Sequence, residues 1–463
     1  MPASPKRTRA DTLAARTARV MFALIAYFDL DARQLDGVNA FLNSPLDEDE
    51  RIYCHFPPGF KRNGLVMKLQ QALHGLPRSP YLWFKELSQS LSSLGFTPVF
   101  EDPCILTNGR IIVFFYVDDI VVASRKEDRP KSNELVRKLQ SLYEIRDLGE
   151  LQWFLNIRVT RDRPNRRLYL TQDAYVDKIV KLYGLAGGPT IQTPLSRDSA
   201  SAYKPYNGQA TADDIKAYQQ RVGSVIYPAY MTRPDIAMAV SILARFMQNP
   251  SPFHMDEVNR VICYLRDTKD LSICYDGSLS YKPPNEPVST SSLSPLFALV
   301  KSVFEASSDA AYGDDPVTRQ STERYLFKLF GGLIDWKATR QTTVTTSTTE
   351  AELLSLSNAA KQLAWWQRLF SQLGFDPGHD PKLHCDNLMS TGILTKQAPA
   401  ISTKLRHIDI HQHWLRERVQ KGKLSISWIP TSSMPTDGLT KPLPRQKHET
   451  FVKLLGLVRC PAR

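Results

Sequence analysis

The amino-acid sequence predicts an α/β fold of the α+β type, divided into two or three domains. Its 463 residues are more than one ordinary domain holds. Short apolar runs that suit buried strands alternate with longer runs of helical spacing. A stretch rich in proline, glycine and serine interrupts this pattern at 276–298. We therefore expect one folded block before this linker and a second block of mixed sheet and helices after it.

Before the linker, the chain divides into three predicted segments. Residues 1–19 place basic side chains among Ala and Thr, and we expect a disordered basic tail there rather than a transit peptide. Residues 20–200 form the first block, and 201–275 have mostly helical spacing and predict a helical connection. The elements expected in the first block are an apolar segment at 20–28, strands at 52–60 and 111–123, and helices at 82–94, 133–143 and 174–183.

After the linker, residues 299–455 predict a mixed α/β domain, and 456–463 predict a short tail. A long helix separates two groups of strands, and this order favours a sheet with helices packed on it. The expected strands are 304–310, 324–330, 333–336, 382–386 and 424–429, and the expected helices are 348–373, 408–419 and 445–455.

The composition restricts the class of protein and of partner. A hydrophobic fraction of 42% with 23% charged residues excludes a wholly disordered chain. The 59 Lys and Arg against 47 Asp and Glu give a net charge of +12, which favours a polyanionic partner such as nucleic acid. The longest apolar runs, at 20–28 and 111–117, are shorter than the roughly 18–20 residues of a membrane span, so we expect no membrane partner. The six cysteines show no ligand-like spacing, which favours a reducing compartment.

A first group of carboxylates surrounds one acidic pair. Asp118 and Asp119 stand between two apolar runs that suit adjacent buried strands, and Asp36 ends an earlier extended segment. Burying like charges is costly unless a cation compensates them. Three carboxylates around two Mg²⁺ ions suit in-line nucleotidyl transfer. The alternative for the pair alone is an exposed hairpin turn, where Asp is common.

A second group of acids lies beyond the linker, in separate predicted elements: Asp309, Glu352, Asp386 and Asp437. If the fold brings them together, they form a second two-metal site, suited to hydrolysis of a phosphodiester. Spacing alone is weak evidence, because any mixed domain has scattered acids. Glu350 competes with Glu352, since both positions fit a capping box at the start of the helix.

Several motifs in order resemble copia-type retrotransposon Pol polyproteins, over roughly residues 15–275 and 300–455. The hairpin sequence Tyr-Val-Asp-Asp resembles the catalytic motif of reverse transcriptases, and the segments 34–41, 57–60, 73–80, 147–150 and 232–236 resemble the family's other blocks. The segments 318–322, 347–352 and 439–443 resemble the family's ribonuclease H domain.

The resemblance implies a reverse-transcriptase palm and thumb with incomplete fingers at 20–200, followed by a ribonuclease H-like mixed-sheet domain. It implies RNA-directed DNA polymerase activity coupled to hydrolysis of RNA in RNA–DNA hybrids. Its implied catalytic and metal-binding residues are Asp36, Asp118 and Asp119 for synthesis, and Asp309, Glu352, Asp386 and Asp437 for hydrolysis. The implied cofactor is Mg²⁺, with Mn²⁺ as the alternative. The resemblance also favours Glu352 over Glu350.

Three further residues are implied to contact nucleotide or template. Phe41 would exclude a ribose 2′-hydroxyl, although an ordinary core aromatic is the alternative, and Tyr116 adjoins the acidic pair. Arg78 stands where the family usually has Gln, in the block that contacts the template.

The implied partners are an RNA template, a DNA primer, an RNA–DNA hybrid and deoxynucleotides, with capsid and integrase as further partners. The implied location is a cytoplasmic virus-like particle, or the nucleus. The upstream basic block that grips the triphosphate is missing from this sequence, so we expect feeble primer extension and persisting hybrid cleavage. The alternative is a degenerate or co-opted remnant that binds nucleic acid, with nuclease activity only or none. Basic clusters at 158–167 and 404–423 are either nucleic-acid contacts or solvated charged faces.

Overall fold

The structure, a computed structural model, describes residues 8–197, 202–278, 304–315, 318–377, 382–395, 406–439 and 441–461, so most of the predicted linker lies outside the described residues. The helices, in chain order, are α1 (Ala15–Tyr27), α2 (Ser79–Ser93), α3 (Arg129–Leu142), α4 (Asp173–Leu182), α5 (Ala212–Met231), α6 (Ala237–Leu243), α7 (Pro252–Asp267), α8 (Thr348–Leu373), α9 (Leu388–Thr395), α10 (Arg406–Gln420) and α11 (Arg445–Leu455). The strands are β1 (Asp31–Gly37), β2 (Tyr53–Cys54), β3 (Met67–Lys68), β4 (Thr97–Val99), β5 (Asp102–Thr107), β6 (Ile111–Tyr116), β7 (Asp119–Ser124), β8 (Ile145–Glu150), β9 (Trp153–Phe154), β10 (Ile157–Asp162), β11 (Arg167–Thr171), β12 (Leu271–Asp276), β13 (Phe304–Ala311), β14 (Thr322–Leu329), β15 (Gly332–Arg340), β16 (Lys382–Cys385), β17 (Ser425–Trp428) and β18 (Leu457–Arg459).

The first sheet is antiparallel throughout, with six strands in the order β4-β5-β6-β7-β1-β8. Successive side chains of a strand point to opposite faces, so an apolar run without alternation indicates a sheet that is covered on both sides. On β6, Phe114 packs against Phe22 of α1, and Phe115 packs against Phe84 of α2. The continuous apolar run of β6 therefore reflects burial between two helices.

The prediction of a disordered tail at 1–19 is wrong for its last five residues, because α1 begins at Ala15 and is buried on nearly every side. Small side chains allow this helix to pack closely all round. The Arg19 side chain is fully buried: Nε donates to the Ile334 carbonyl (2.7 Å), and Nη1 donates to the Met231 carbonyl (3.0 Å). Its guanidinium also lies 4.1 Å from the Trp336 ring. These partners come from distant parts of the chain, so the local composition gave no sign of them.

We expect Arg19→Met to lower the free energy of unfolding by about 2–4 kcal/mol, because it leaves two buried carbonyls without a donor and removes a buried charge partner from Asp335. Urea unfolding measures the change. Arg16→Met is the matched control on the same helix, since the Arg16 side chain is only half-buried against Trp365. Equal unfolding midpoints for the two variants would contradict the structural role of Arg19.

A second sheet, the junction sheet, joins three distant parts of the chain in the antiparallel order β18-β12-β11-β10-β9. The prediction of a tail at 456–463 is wrong for the residues of β18, which pair with β12, for example Leu457 with Ile273. The predicted helical connection likewise ends in a strand, β12. Both errors have one cause: three-residue and six-residue strands are specified by non-local pairing rather than by their own spacing.

Helices α4, α5, α6 and α7 pack around a second hydrophobic core. A buried polar network ties this helical unit to α11. Arg233 and Asp235 form a buried ion pair (2.6 Å), and the Tyr264 hydroxyl donates to Asp235 (2.8 Å). The same hydroxyl lies 2.9 Å from Nε2 of His448 on α11.

The third sheet, the mixed sheet, has the order β15-β14-β13-β16-β17. β13, β14 and β15 are antiparallel, whereas β16 and β17 run parallel to β13. α8 packs across β13 and β14, and α10 packs on α8. One continuous core joins this domain to α1 and the first sheet, with Tyr27 stacked on Phe330 at 3.9 Å. The two blocks predicted on either side of the linker are therefore packed together. In the part of the chain that the structure describes, no helix is both long and apolar enough to cross a membrane.

Candidate active sites

The first sheet brings the first acid group together at one edge. Asp36 on β1 lies opposite Asp119 on β7, and Asp119 lies opposite Tyr116 on β6. Asp118 occupies the two-residue turn between β6 and β7 and is exposed. All three predicted carboxylates therefore lie close together, where the turn of the hairpin adjoins the end of β1.

The hairpin is held in place by contacts from two other elements. Trp83 on α2 donates its indole N–H to the Val117 carbonyl (2.7 Å), and the Gly37 amide donates to the Asp118 carbonyl (2.9 Å). Val117 has a φ of 56°, which is strained for a β-branched side chain. A Cβ atom on Gly37 would lie 3.7 Å from the Trp83 ring, so α2, β1 and the turn are in close contact. The surrounding structure thus fixes a turn that Val would not adopt by itself.

The electrostatics of this group favour a cation. Burial, followed by the charges of Asp118 and Asp36, raises the pKa of Asp119, while the Gln34 amide lies 3.5 Å away and favours the charged form. Carboxylate oxygens are the ligands that Mg²⁺ prefers. Three of them at one strand edge, with mutual repulsion to relieve, fit a divalent ion.

The remaining predicted contacts of this region take different positions. Phe41 lies in a short 3₁₀ turn (Ala40–Asn43), is 9% exposed and packs its ring against His74 at 4.6 Å. A gating role for this ring stays a prediction. Arg78 forms ion pairs with Asp47 (2.9 Å) and Glu50, so its charge is already neutralised within the protein. Contact between Arg78 and a template therefore stays a prediction.

The mixed sheet brings the second acid group together. Asp309 lies on β13, Asp386 follows β16, and Asp437 begins a 3₁₀ turn (Asp437–Leu439). Glu352 on α8 reaches β13, where its Oε1 accepts from the Ala310 amide (3.2 Å). The possible metal-ligand atoms of Glu352, Asp386 and the adjacent Cys385 lie within 4.8 Å of one another.

Glu350 and Glu352 have different surroundings. The Glu350 carboxylate accepts from the Thr346 amide (2.8 Å) and hydroxyl (2.7 Å), which closes the first turn of α8. Glu352 instead faces Asp309. The helix therefore directs the two acids to a cap and to the acid group, respectively.

The second group is strongly coupled. Burial, then the charges of Asp386 and Asp437, raises the pKa of Asp309 to about 6, although Arg324 opposes this effect. Burial, then Asp309 and Asp386, raises the pKa of Glu352 to about 9. Glu352 Oε2 is buried and has no hydrogen-bond partner among the described residues. An orphaned carboxylate oxygen among acids fits a divalent cation, which would allow the group to ionise.

Without divalent ions, the Glu352 carboxyl should make the folded chain less stable as the pH rises. Its pKa is about 9 in the folded chain against an ordinary value of 4.5, so between these values the folded chain binds a proton that the unfolded chain has lost. Glu352→Gln removes this linkage. In EDTA, the free energy of unfolding of the variant minus that of the parent should therefore increase from pH 5 to pH 9. Urea unfolding measures this difference, which should become smaller when Mg²⁺ is added. A difference that is independent of pH would contradict the burial of a protonated Glu352.

Arg324 is a functional candidate that the sequence analysis missed. It is fully buried on β14, opposite Asp309 in the ladder, and its charge favours the ionised form of Asp309. The sequence feature that could have identified Arg324 is its position in the predicted strand 324–330, where it lies on the same face as the apolar Leu326. A charge on the core side of a strand indicates a buried acid partner.

The arginine cluster at 158–167 is engaged within the protein. Every member contacts an acid or a carbonyl: Arg158 with Asp173, Arg161 with Asp29, Arg163 with Glu150, Arg166 with the Tyr27 carbonyl, and Arg167 with Asp276. These contacts favour a structural role for the cluster over nucleic-acid binding. The second cluster, at 404–423, lies partly outside the described residues, and nucleic-acid contact there stays a prediction.

The chain thus joins an antiparallel sheet with acids at a hairpin to a mixed sheet with a second acid group. Residues 8–197 match the family described as reverse transcriptase (RNA-dependent DNA polymerase). The chain as a whole is similar to retrotransposon Pol polyproteins of the copia type.

Similar proteins come from plants and yeast. Over 95% of its length the chain is 30% identical to the Retrovirus-related Pol polyprotein from transposon TNT 1-94 of Nicotiana tabacum, of which it covers 32%. Over 93% it is 31% identical to the polyprotein from transposon RE1 of Arabidopsis thaliana, of which it covers 28%. The putative transposon Ty5-1 protein of Saccharomyces cerevisiae is 29% identical over 71% of the chain and is covered completely. The chain thus spans about a third of the plant polyproteins.

Two solved structures were also found to be similar. A foamy viral protease–reverse transcriptase in complex with an RNA/DNA hybrid is 12% identical, with a TM-score of 0.43 over 89% of this chain and 45% of that chain. RNase H1 from Halobacterium salinarum is 17% identical, with a TM-score of 0.23 over 31% of this chain and 95% of that chain.

Proposed function

We propose that this chain carries RNA-directed DNA polymerase and ribonuclease H activities within the Pol polyprotein of a copia-type retrotransposon. The observation that supports this best is the pairing of Asp36 with Asp119 beside the Asp118 turn. Three carboxylates at this strand edge could share divalent ions with a primer terminus and a triphosphate. The separate acid group of the mixed sheet supports the second activity.

For DNA synthesis, Asp36, Asp118 and Asp119 would hold the divalent ions, Mg²⁺ with Mn²⁺ as the alternative. Such ions lower the pKa of a primer 3′-hydroxyl and neutralise the triphosphate. The chain itself positions the carboxylates through the contact of Trp83 with the turn. Phe41 would exclude the 2′-hydroxyl of a ribonucleotide and so select deoxynucleotides.

Template and nucleotide would lie beside the same hairpin. Tyr116 would support the incoming nucleotide, because it is the residue of β6 opposite Asp119. Arg78 would contact the RNA template only if its ion pairs with Asp47 and Glu50 rearranged. The DNA primer would end at the acid group.

For hydrolysis, Asp309, Glu352, Asp386 and Asp437 would hold divalent ions against the RNA strand of an RNA–DNA hybrid. Such ions activate water and stabilise the leaving oxygen. Arg324 helps to keep Asp309 ionised, and Glu352 would release its proton when the site is loaded, because its pKa is about 9 in the metal-free chain.

The setting of these activities follows from the family. We propose capsid and integrase as further partners, and a virus-like particle in the cytoplasm, or the nucleus, as the location. The net charge of +12 supports a nucleic-acid partner and does not discriminate between these locations.

One experiment tests both activities on the same purified chain. Primer extension on an RNA template and cleavage of an RNA–DNA hybrid are measured with Mg²⁺, with Mn²⁺ and with EDTA. We expect hybrid cleavage and weaker primer extension with either divalent ion, and neither product in EDTA. Cleavage that persists in EDTA, or no product with either ion, would contradict the proposal.

A further inference from the structure

A cavity of about 300 Å³ lies between the helical unit and the mixed-sheet domain. None of the seven proposed catalytic acids lines it. One wall comes from the segments 203–206 and 245–249, and the other comes from Asp315, Thr318 and Arg340. The cavity is therefore built by both parts of the chain.

Arg245 is the central polar group of this cavity. Its side chain is 17% exposed and forms an ion pair with Asp315 at 3.6 Å, and the charge of Asp314 also acts on it. A guanidinium has five N–H donors, and a mostly buried one is costly to leave with so few acceptors. Since Arg245 lines the cavity, an acceptor in the cavity would satisfy the remaining donors.

The charges around the cavity are unequal. Arg340 also pairs with Asp315 (3.0 Å), so two guanidiniums share one carboxylate. That carboxylate additionally accepts from the Thr318 amide (2.8 Å). The neighbouring Asp314 does not line the cavity, but its charge acts on Arg245, and it also lies 3.9 Å from Arg324. Among the charged residues that line the cavity, two are arginines and one is an aspartate, and this lining favours an anion.

The opposite wall is held in place before any ligand arrives. The Asn249 side-chain amide donates to the Tyr206 carbonyl (3.2 Å) and to the Gly208 carbonyl (3.0 Å). A Cβ atom on Gly208 would lie 2.5 Å from the Tyr206 ring, so the ring and the backbone at Gly208 are in close contact. Phe246 is stacked on His254 at 3.9 Å. The Tyr206 ring is 36% exposed and offers an apolar face beside the two arginines.

We propose that this cavity binds a backbone phosphate of the nucleic-acid duplex held by the chain, with Arg245 and Arg340 as donors and the Tyr206 ring against the adjoining sugar. Planar guanidiniums suit phosphate because they bind it bidentately. Asp315 lies six residues after Asp309, so the contact would hold a hybrid near the nuclease acids. The identity of the nucleic acid rests on the proposed function, whereas the anion site rests on the cavity.

The test measures binding of an RNA–DNA hybrid in EDTA, where no metal-dependent cleavage occurs, at several salt concentrations. We expect Arg245→Gln to raise the Kd about tenfold and to reduce the slope of log Kd against log salt by about one, because one phosphate contact is lost. Arg340→Gln should act in the same direction, and Arg245→Lys should lie between the parent and Arg245→Gln. Arg459→Gln is the matched control, since this exposed arginine pairs with Asp270 on the junction sheet. It should leave the slope unchanged.

The outcomes separate this site from the proposed function. Parental Kd and slope in both Arg245→Gln and Arg340→Gln, with unchanged unfolding midpoints, would overturn the phosphate site while leaving the enzyme activities untouched. An equal change of slope in Arg459→Gln would also overturn it. A parent that binds hybrid in an Arg245-dependent way but cleaves none would support the phosphate site and contradict the nuclease. With Mg²⁺, Arg245→Gln should raise the KM for hybrid and leave kcat near that of the parent.

Discussion

Glu352→Gln should reduce cleavage of RNA in a hybrid by about 10²–10³-fold, the range found when one preorganised electrostatic contact to a transition state is removed. In the metal-free chain, burial and the charges of Asp309 and Asp386 hold the Glu352 carboxyl in its protonated form, which glutamine resembles in shape and charge. The variant should therefore fold normally. It should fail only where a negative charge is needed, which is in holding the divalent ions against the scissile phosphate.

Glu350→Gln is a stringent control, because it makes the same chemical change two residues earlier on the same helix. Its carboxylate bonds the Thr346 amide and hydroxyl, so the variant should lose about 1 kcal/mol of stability and keep its cleavage rate. Single-turnover cleavage with Mg²⁺ measures both variants. Parental rates in Glu352→Gln, or a comparable loss in Glu350→Gln, would show that the assignment of the helix acid is wrong.

The sequence predicted those features that are encoded locally. Asp118 and Asp119 could be located because apolar runs on both sides identify two adjacent strands, and an antiparallel hairpin then fixes the position of the pair. The order of strands and helices after the linker likewise predicted a mixed sheet, which the structure has. The separation of Glu350 from Glu352 could not come from spacing, since both fit a cap. Only the direction of α8 across β13 distinguishes them.

Two features could not be predicted from local patterns, because both depend on partners that are distant in the sequence. In the sequence, Arg19 belongs to a basic segment that resembles a tail. In the structure, it donates hydrogen bonds to the carbonyls of Ile334 and Met231. The arginines at 158–167 look like a phosphate-binding cluster until Asp29 and Glu150 neutralise them. The composition gives the number of charged residues, whereas the tertiary structure determines which of them form ion pairs.

Asp118→Asn should reduce primer extension by about 10²–10³-fold at saturating nucleotide, while hybrid cleavage stays at the parental rate. Asp118 lies in the exposed turn between β6 and β7, and asparagine is a favoured turn residue, so the hairpin should keep its shape. The contacts from Trp83 and Gly37 reach backbone carbonyls and are unaffected by the change. What is lost is one negative charge beside Asp36 and Asp119, and with it part of the attraction for the divalent ions.

Asp177→Asn is the matched control for this prediction. Asp177 is exposed on α4 and pairs with Lys269. The Asp177→Asn variant therefore loses the same charge at a position that is distant in the sequence from the hairpin. Extension and cleavage are measured on the same preparations, because the two acid groups lie on different sheets and should respond independently. If Asp118→Asn extends primers as well as Asp177→Asn does, the exposed acid belongs to an ordinary turn. If cleavage falls together with extension, a common defect in nucleic-acid binding or folding would replace the loss of one metal centre as the explanation.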